Sequence, residues 1–326
     1  MKSRLITAVI ATLFIPQIAM ADSVIESISK AWTFSHANTG VTSEISAFDS
    51  ASNTLDVLNI ADGSLVQHIN TTGYGFINSI AIHNGVAAFA IEAPTMTDAG
   101  IVQFYDTATR SLSSGINTLT VGALPDMLTF TADGSKLLVA NEGTPSTYGT
   151  RIGTTTPHVY GPAAVDPVGS VSVIDMNTRT VTATAGFAGV TQTGSNIRTN
   201  TGMDFEPEYI AINASGTKAY VTLQEANAIG VLDLNTQSFE KVIGLGAKDF
   251  SLAGNSIDPL NNGTISFINP DVKGLYMPDG IAVYQVNGED HLVMANEGDL
   301  RGDDGDRITA GSLGAVAPLN ALRVSS

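Results

Sequence analysis

The sequence predicts an all-β protein, a β-propeller of four-stranded antiparallel blades. Two observations support this prediction: a hairpin motif recurs along the chain, and a second strand motif lies between its copies. Recurring strand motifs are typical of propellers, whose blades surround an axis and leave few long sheet edges. Apolar residues in the motifs alternate with a period of two, which argues against helical repeats.

The first motif begins with proline and an acidic residue, runs through two strands joined by a glycine turn, and ends in an acid. Its copies are residues 125–143, 207–225 and 278–298, with a fainter copy over 78–92. The turn dipeptides are Asp133-Gly134, Ser215-Gly216 and Asn287-Gly288. Such dipeptides favour two-residue hairpin turns with positive φ, so we predict two antiparallel strands, A and B, in each copy.

The second motif is a strand that ends in an acid or amide, followed by a short turn and another strand. Its copies are residues 101–110, 171–179 and 229–237, with a weaker one over 55–59. We name its strands C and D, so that each blade has the order A-B-C-D. A β-sandwich with coincidentally similar strands is the alternative.

The connectivity of a meander predicts where the acids lie. The B-to-C and D-to-A connections open on the same face, so the Pro-acid positions and the acids that follow strand B share that face. The long segments 144–169 and 245–277 fall on the same face, where loops on a rigid scaffold often form binding sites. The candidate residues on this face are Asp126, Glu142, Glu208, Glu225, Asp279, Glu297 and Asp299, with Glu92 as a weaker candidate.

These acids form a candidate metal site. Carboxylates that converge repel one another, which raises their pKa values unless a cation neutralises them. Calcium is the natural cation, because it takes several oxygen ligands in irregular geometry. The alternative is that each acid caps its own loop by accepting backbone N–H groups.

The motifs resemble the choice-of-anchor I family, secreted and surface β-propellers related to mesenchyme-specific cell-surface glycoproteins and, more distantly, to YVTN-repeat propellers. The matching segments are 78–92, 125–142, 206–233 and 274–301. The resemblance implies a propeller of about seven blades, and some relatives are described as alkaline-phosphatase-like.

The chain departs from this family pattern in two places. In residues 44–60, the segment 44–49 runs almost directly into the segment 55–60, where a hairpin strand would be expected. After Asp306 the pattern stops, with about four and a half blades counted. We therefore expect a C-terminally truncated member with an incomplete ring.

Residues 1–21 are predicted to be a cleaved signal peptide, with basic Lys2 and Arg4, an apolar run and Ala19-Met20-Ala21. The mature propeller domain would be residues 22–326, exported to a periplasm, the exterior or the cell surface. A membrane anchor is the alternative, but the apolar run is shorter than the roughly 20 residues that a bilayer requires. We expect no transmembrane segment in the mature chain.

Composition excludes several classes of chemistry. The 326 residues contain no cysteine, so disulfides, thiolate metal sites and cysteine nucleophiles are absent. A net charge of −16 repels nucleic acid, so no nucleic-acid partner is expected. No G-x-S-x-G elbow, P-loop or dinucleotide motif occurs, and the five histidines lack zinc-like spacing.

Two functions from different classes remain. The first is a binding module that uses the acidic face to hold calcium and a surface ligand. The second is a calcium-dependent phosphoesterase, in which metal ions clamp a small phosphoester and polarise a water molecule. The second needs cations at the same face, and the candidates are Arg151, Arg198, Lys273 and Arg301.

Overall fold

The computed structural model describes residues 48–49, 54–58, 64–70, 73–146, 151–152, 159–160, 165–198, 205–260, 262–298, 307–315, 319 and 323–325. Strands dominate this part of the chain, and a short 3-10 turn is described at Ala310–Leu313. The protein is all-β, as predicted. The predicted signal peptide lies outside the described residues.

The first two sheets follow each other along the chain. Sheet I contains β1 (Phe48–Asp49), β2 (Thr54–Leu58) and β3 (Leu65–Asn70). Sheet II contains β4 (Ile77–His83), β5 (Val86–Ile91), β6 (Ala99–Asp106), β7 (Ser111–Leu112) and β8 (Thr118–Ala123). Strand β6 pairs with β5 and also with both β7 and β8.

Sheet III is a four-stranded antiparallel meander, as the repeat predicts. It contains β9 (Pro125–Phe130), β10 (Lys136–Asn141), β13 (Ser170–Asp175) and β14 (Thr180–Ala185). A small hairpin, β11 (Arg151–Ile152) with β12 (Val159–Tyr160), lies in the connection between β10 and β13.

Sheet IV has the same meander plus one strand that the repeat does not predict. It contains β15 (Thr191–Ser195), β16 (Pro207–Ile212), β17 (Lys218–Leu223), β18 (Ala228–Asp233) and β19 (Ser238–Leu245). Strand β15 comes from the connection that precedes β16 and pairs in parallel with the outer strand β19.

Sheet V is described as a hairpin of β22 (Pro278–Val286) and β23 (Glu289–Asn296). The preceding insertion carries β20 (Lys248–Asp249) and β21 (Lys273–Gly274), which pair with each other. Strands β24 (Arg307–Thr309) and β25 (Arg323–Ser325) form a last antiparallel pair.

The A strands of successive sheets lie next to one another. Strand β4 contacts β9, β9 contacts β16, and β16 contacts β22. This is the arrangement expected of innermost propeller strands around an axis, and it does not fit a two-layer sandwich. The strand pairing forms no closed ring in the part of the chain that the structure describes.

Apolar clusters between successive sheets hold the sheets together. Ile69 and Phe89 join sheets I and II, Phe104 and Leu137 join sheets II and III, and the largest cluster joins sheets III and IV. A smaller cluster around Ile281 joins sheets IV and V. Burial of these apolar side chains therefore stabilises the packing of each sheet against the next.

The predicted two-residue hairpin turns are confirmed at some positions and wrong at others. Asn287 and Gly288 have φ of 52° and 82° and form a two-residue turn, as do Asn84 and Gly85. The connections over 131–135 and 213–217 are longer. There the side chain of Asp133 or Asn213 accepts hydrogen bonds from within the loop, and only the glycine has positive φ.

The C strands end in aspartates that cap the following turn. Asp175 Oδ1 accepts from the backbone N–H of Asn177 and Thr178, and Asp106 and Asp233 do the same in their sheets. These bonds lower the pKa of all three aspartates. The aspartates that end the C strands therefore cap their own turns.

We predict that Gly169→Ala destabilises the junction of sheets III and IV. A Cβ at Gly169 would lie 2.1 Å from the carbonyl oxygen of Phe205 and 2.7 Å from Cδ of Pro207. Overpacking of this kind costs about 1–3 kcal/mol in the free energy of unfolding. Urea melts measure this change in the free energy of unfolding. Gly186→Ala is the control, because nothing lies within 4 Å of a Cβ there. Equal stability of the two variants would contradict the prediction.

Candidate functional site: an acidic mouth

The acid at the start of each A strand lies in a β-bulge. In β9, Pro125 pairs with Asn141 and Met127 pairs with Ala140, so Asp126 is the extra residue. The register also shifts after Pro207 in β16 and after Pro278 in β22. Bulges bend a strand and redirect its side chains, so a repeated bulge aims Asp126, Glu208 and Asp279 in the same way.

A second set of acids lies at the same end of the sheets. Glu142 and Glu297 come directly after a B strand, and Glu225 comes two residues after one. The last residues of these B strands pair with the prolines of the A strands. The glycine turns lie at the opposite end, where Phe130 pairs with Leu137 and Val286 pairs with Glu289. The predicted separation of turns and acids is confirmed.

We call the resulting acid cluster the acidic mouth. Its members are Glu92, Asp126, Glu142, Glu206, Glu208, Glu225 and Asp279. They come from sheets II to V. Burial, followed by the carboxyls of Glu225, Glu142, Asp126 and Asp279, raises the pKa of Glu208 to about 10.

Glu206 is a member of the mouth that the repeat analysis missed. Its side chain is 1% exposed, and its Oε1 atom has no hydrogen-bond partner. Burial, followed by the charges of Glu225 and Glu142, raises its pKa to about 10. The equivalent residues before the other two prolines are Leu124 and Met277, both buried. The sequence signal for Glu206 was an acid directly before the proline, at a position that is apolar in the other two copies.

A threonine hydroxyl joins two of the buried acids. Thr144 Oγ1 is within hydrogen-bond distance of Glu142 and lies 3.2 Å from Glu206 Oε2. One hydroxyl carries one proton, so it can donate to only one of the two carboxyls. A proton or a cation on the other carboxyl would satisfy its contact with Thr144. Burial and, to a smaller extent, the carboxyls of Glu225 and Glu92 raise the pKa of Glu142 to about 7, although the hydrogen bond from Thr144 opposes the rise.

Side-chain amides connect neighbouring sheets at this end. Asn78 Nδ2 lies 3.5 Å from Glu92 Oε2 and donates to the carbonyl oxygen of Pro125 at 3.2 Å. Burial raises the pKa of Glu92, while the hydrogen bond from Asn78 opposes the rise. Gln224 Nε2 donates to Glu297 Oε2 at 3.3 Å. The acids are therefore held on a connected framework.

The structure brings five of the predicted site residues into the mouth. They are Asp126, Glu142, Glu208, Glu225 and Asp279. Glu297 lies at its exposed edge, and Asp299 lies outside the described residues. Within the described ranges, no group of three or more acidic or histidine side chains is close enough to hold a metal ion by itself.

The predicted cations are less well placed. Lys273 is exposed in β21, Arg151 lies in β11, and Arg301 is outside the described ranges. Arg198 is half-buried, and its backbone N–H donates to the carbonyl of Ala226. The main causes of the raised pKa values of Glu142, Glu206 and Glu208 are burial and neighbouring acids, without a cation among them.

The fold and the mouth define an all-β, propeller-type protein whose candidate site lies at one end of its innermost strands. The chain belongs to the choice-of-anchor I family, whose domain profile matches residues 37–326. In the described residues, no helix is long and apolar enough to cross a membrane.

Solved structures of other proteins are similar to parts of this chain. The hydrazine synthase of Kuenenia stuttgartiensis is 18% identical over 58% of this chain and 48% of its own, with a TM-score of 0.40. A eukaryotic initiation factor is 11% identical over 56% of this chain and 36% of its own, with a TM-score of 0.33. The chain thus spans about half the length of the hydrazine synthase chain. No curated protein sequence matches.

We predict that stability falls as pH rises when no metal is present. An unfolded chain releases glutamate protons near pH 4.5, whereas the pKa is about 7 for folded Glu142 and about 10 for folded Glu206. Between these values the folded state binds more protons than the unfolded state, so each rise in pH favours unfolding.

Urea melts in chelator from pH 5 to pH 9 measure this slope. Glu206→Gln should flatten it and, at pH 8, add at least the roughly 1.4 kcal/mol that one pKa unit represents. Glu240→Gln is the control, since Glu240 is on the surface in an ion pair with Lys218. A Glu206→Gln slope as steep as that of the control would show that Glu206 does not titrate as described.

Proposed function

We propose that the protein is an exported or cell-surface binding module whose acidic mouth holds Ca²⁺. Membership of the choice-of-anchor I family supports a cell-surface propeller module. The long segments 144–169 and 245–277 leave the sheets at the mouth end and give a surface ligand a place to bind beside the ion.

The observation that carries the cation proposal is the Oε1 atom of Glu206. This oxygen is buried without a hydrogen-bond partner, among other carboxyls that repel it. A buried polar atom left in this way costs about 1–3 kcal/mol, and an ionised one costs more. A proton or a cation removes the cost, and a cation also removes the repulsion between neighbouring acids.

The donor chemistry fits calcium better than zinc or copper. The mouth offers carboxylate oxygens and the hydroxyl of Thr144, whereas no cysteine exists in the chain. Calcium accepts six to eight oxygens, including carbonyls and waters, in flexible geometry. Because no three acidic side chains in the described residues hold a metal alone, such added ligands are required.

The proposed calcium ligands come from the predicted set together with Glu206. That set is Asp126, Glu142, Glu208, Glu225, Asp279, Glu297 and Asp299. Calcium bound there would offset part of the negative charge of the mouth, and an anionic or hydroxylated surface ligand would complete its coordination.

We predict that Ca²⁺ stabilises the folded chain. A ligand that binds only the folded state adds about 2.7 kcal/mol at 100 times its Kd. Calorimetric titration and thermal melts, with Ca²⁺ or with chelator, measure binding and the Tm shift. Glu206→Gln should weaken Ca²⁺ binding at least tenfold, while Glu240→Gln should leave it unchanged.

An unchanged Tm with and without chelator, and no titration heat, would contradict calcium binding. The same samples should be assayed with a generic phosphomonoester. Calcium-dependent turnover would favour the phosphoesterase alternative over a pure binding module.

A further inference from the structure

The side chain of Asn227 is buried at the mouth end of sheet IV, directly before β18. It is 0% exposed. Its Nδ2 atom donates to the carbonyl oxygens of Asn196 and Gly246, at 3.1 and 2.9 Å. Its Oδ1 atom accepts from the backbone N–H groups of Tyr276 and Met277, at 2.9 and 3.1 Å. Both amide protons and both lone pairs of the carboxamide are therefore used, by three separate parts of the chain.

These contacts hold the segment 245–277 at both of its ends. Gly246 lies directly after β19, where the segment begins, and Tyr276 and Met277 lie where it ends, just before β22. The backbone C=O of Asn227 also accepts from the N–H of the last residue of β19, at 3.1 Å. One asparagine of sheet IV therefore joins the start of the segment to its end.

Asn227 occupies a position at which the two preceding sheets have glycine. Counted from the paired strands, it matches Gly100 in sheet II and Gly169 in sheet III. Those glycines pack closely on the proline of the next sheet, since a Cβ on them would lie 2.4 Å from Cδ of Pro125 and 2.7 Å from Cδ of Pro207. Close backbone packing sets those two junctions, whereas a side-chain carboxamide bridges the junction of sheets IV and V.

The carboxamide holds Met277 in an uncommon backbone conformation, two residues before Asp279. Met277 has φ of 45°, in the left-handed region that a large side chain rarely adopts. Asn227 accepts its N–H from sheet IV, and the N–H of Glu297 in sheet V donates to its C=O at 3.2 Å. Such a conformation persists where surrounding contacts hold it. Asn227 therefore helps to set the direction in which the chain enters Pro278 and Asp279.

We propose that Asn227 is a positioning residue of the cation site, through which the segment 245–277 controls the placement of Asp279. This role rests on the proposed function, because it requires that the acidic mouth binds Ca²⁺. Glu225 lies two residues before Asn227, so the hydrogen bond to Met277 fixes an acid of sheet IV against an acid of sheet V. A ligand bound to the segment then changes the calcium affinity of the mouth, and calcium stabilises the segment in return.

Two substitutions at Asn227 separate positioning from stability. Asn227→Gly removes the carboxamide and keeps the backbone, because Asn227 has φ of 52° and glycine adopts this conformation freely. Asn227→Asp keeps an acceptor for the N–H groups of Tyr276 and Met277 but loses the two donors. Loss of a group that orients metal ligands weakens metal binding about 10- to 100-fold. We expect a loss of this size in calorimetric Ca²⁺ titration of folded Asn227→Gly, and no loss for Asn227→Asp.

Two controls accompany these variants. Asn84→Gly is the matched control, since Asn84 also has positive φ, at 44°, and is exposed in the turn between β4 and β5, away from the mouth. Phe239→Leu is the control for lost stability, because Phe239 is buried in β19 near that opposite end. Neither control should change the Kd for Ca²⁺.

Hydrogen exchange of the unmodified protein gives a second test, which holds even if Asn227→Gly does not fold. Because coupling is reciprocal, Ca²⁺ should slow exchange of the Tyr276 and Met277 amides about tenfold. The amide of Gly216, which donates to Asn213 at the opposite end of sheet IV, should exchange at an unchanged rate.

Three outcomes would overturn the positioning role while leaving calcium binding intact. They are an unchanged Kd in Asn227→Gly, equal losses in Asn227→Gly and Asn227→Asp, and unchanged exchange of the Tyr276 and Met277 amides in the calcium-bound protein. No titration heat with the unmodified protein would instead overturn the proposed calcium site, and the role of Asn227 with it.

Discussion

The β-bulge at the start of each innermost strand is the constraint on which the candidate site depends. It places an acid beside a proline at the same point of β9, β16 and β22, where these strands contact one another. Like charges from three sheets are therefore brought together by backbone geometry. The apolar clusters between the sheets offset this repulsion, since they are large and the mouth occupies only one end.

The mouth has two ways to lower its electrostatic free energy. In the absence of metal, protons on the buried carboxyls lower it, and Glu206 then carries a proton beside Thr144 and Glu142. Under the proposed function, a calcium ion would lower it by replacing those protons, which would couple metal binding to proton release. Both states would follow from the same burial, and pH and calcium concentration would set the choice between them.

Much of the fold was predictable because its signals are local. Proline, glycine and the alternation of apolar residues predict the A and B strands, and the connectivity predicts that the acids share one end. The five-residue turns over 131–135 and 213–217 were missed because the side chains of Asp133 and Asn213 accept hydrogen bonds that hold a longer loop, in which only the glycine has positive φ. The parallel strand β15 follows no repeat. Glu206 was missed because it occupies a position that is apolar elsewhere in the chain.

Carbon-13 NMR of the glutamate side-chain carboxyls tests the central claim most directly, because protonated and ionised carboxyls differ in chemical shift. In chelator at pH 7, the account predicts that Glu206 and Glu208 are protonated, and that Ca²⁺ shifts them to the ionised form. Glu206→Gln removes one of the protonated signals and assigns it. If every glutamate is ionised at pH 7 in chelator, and none responds to Ca²⁺, the account of the acidic mouth is contradicted.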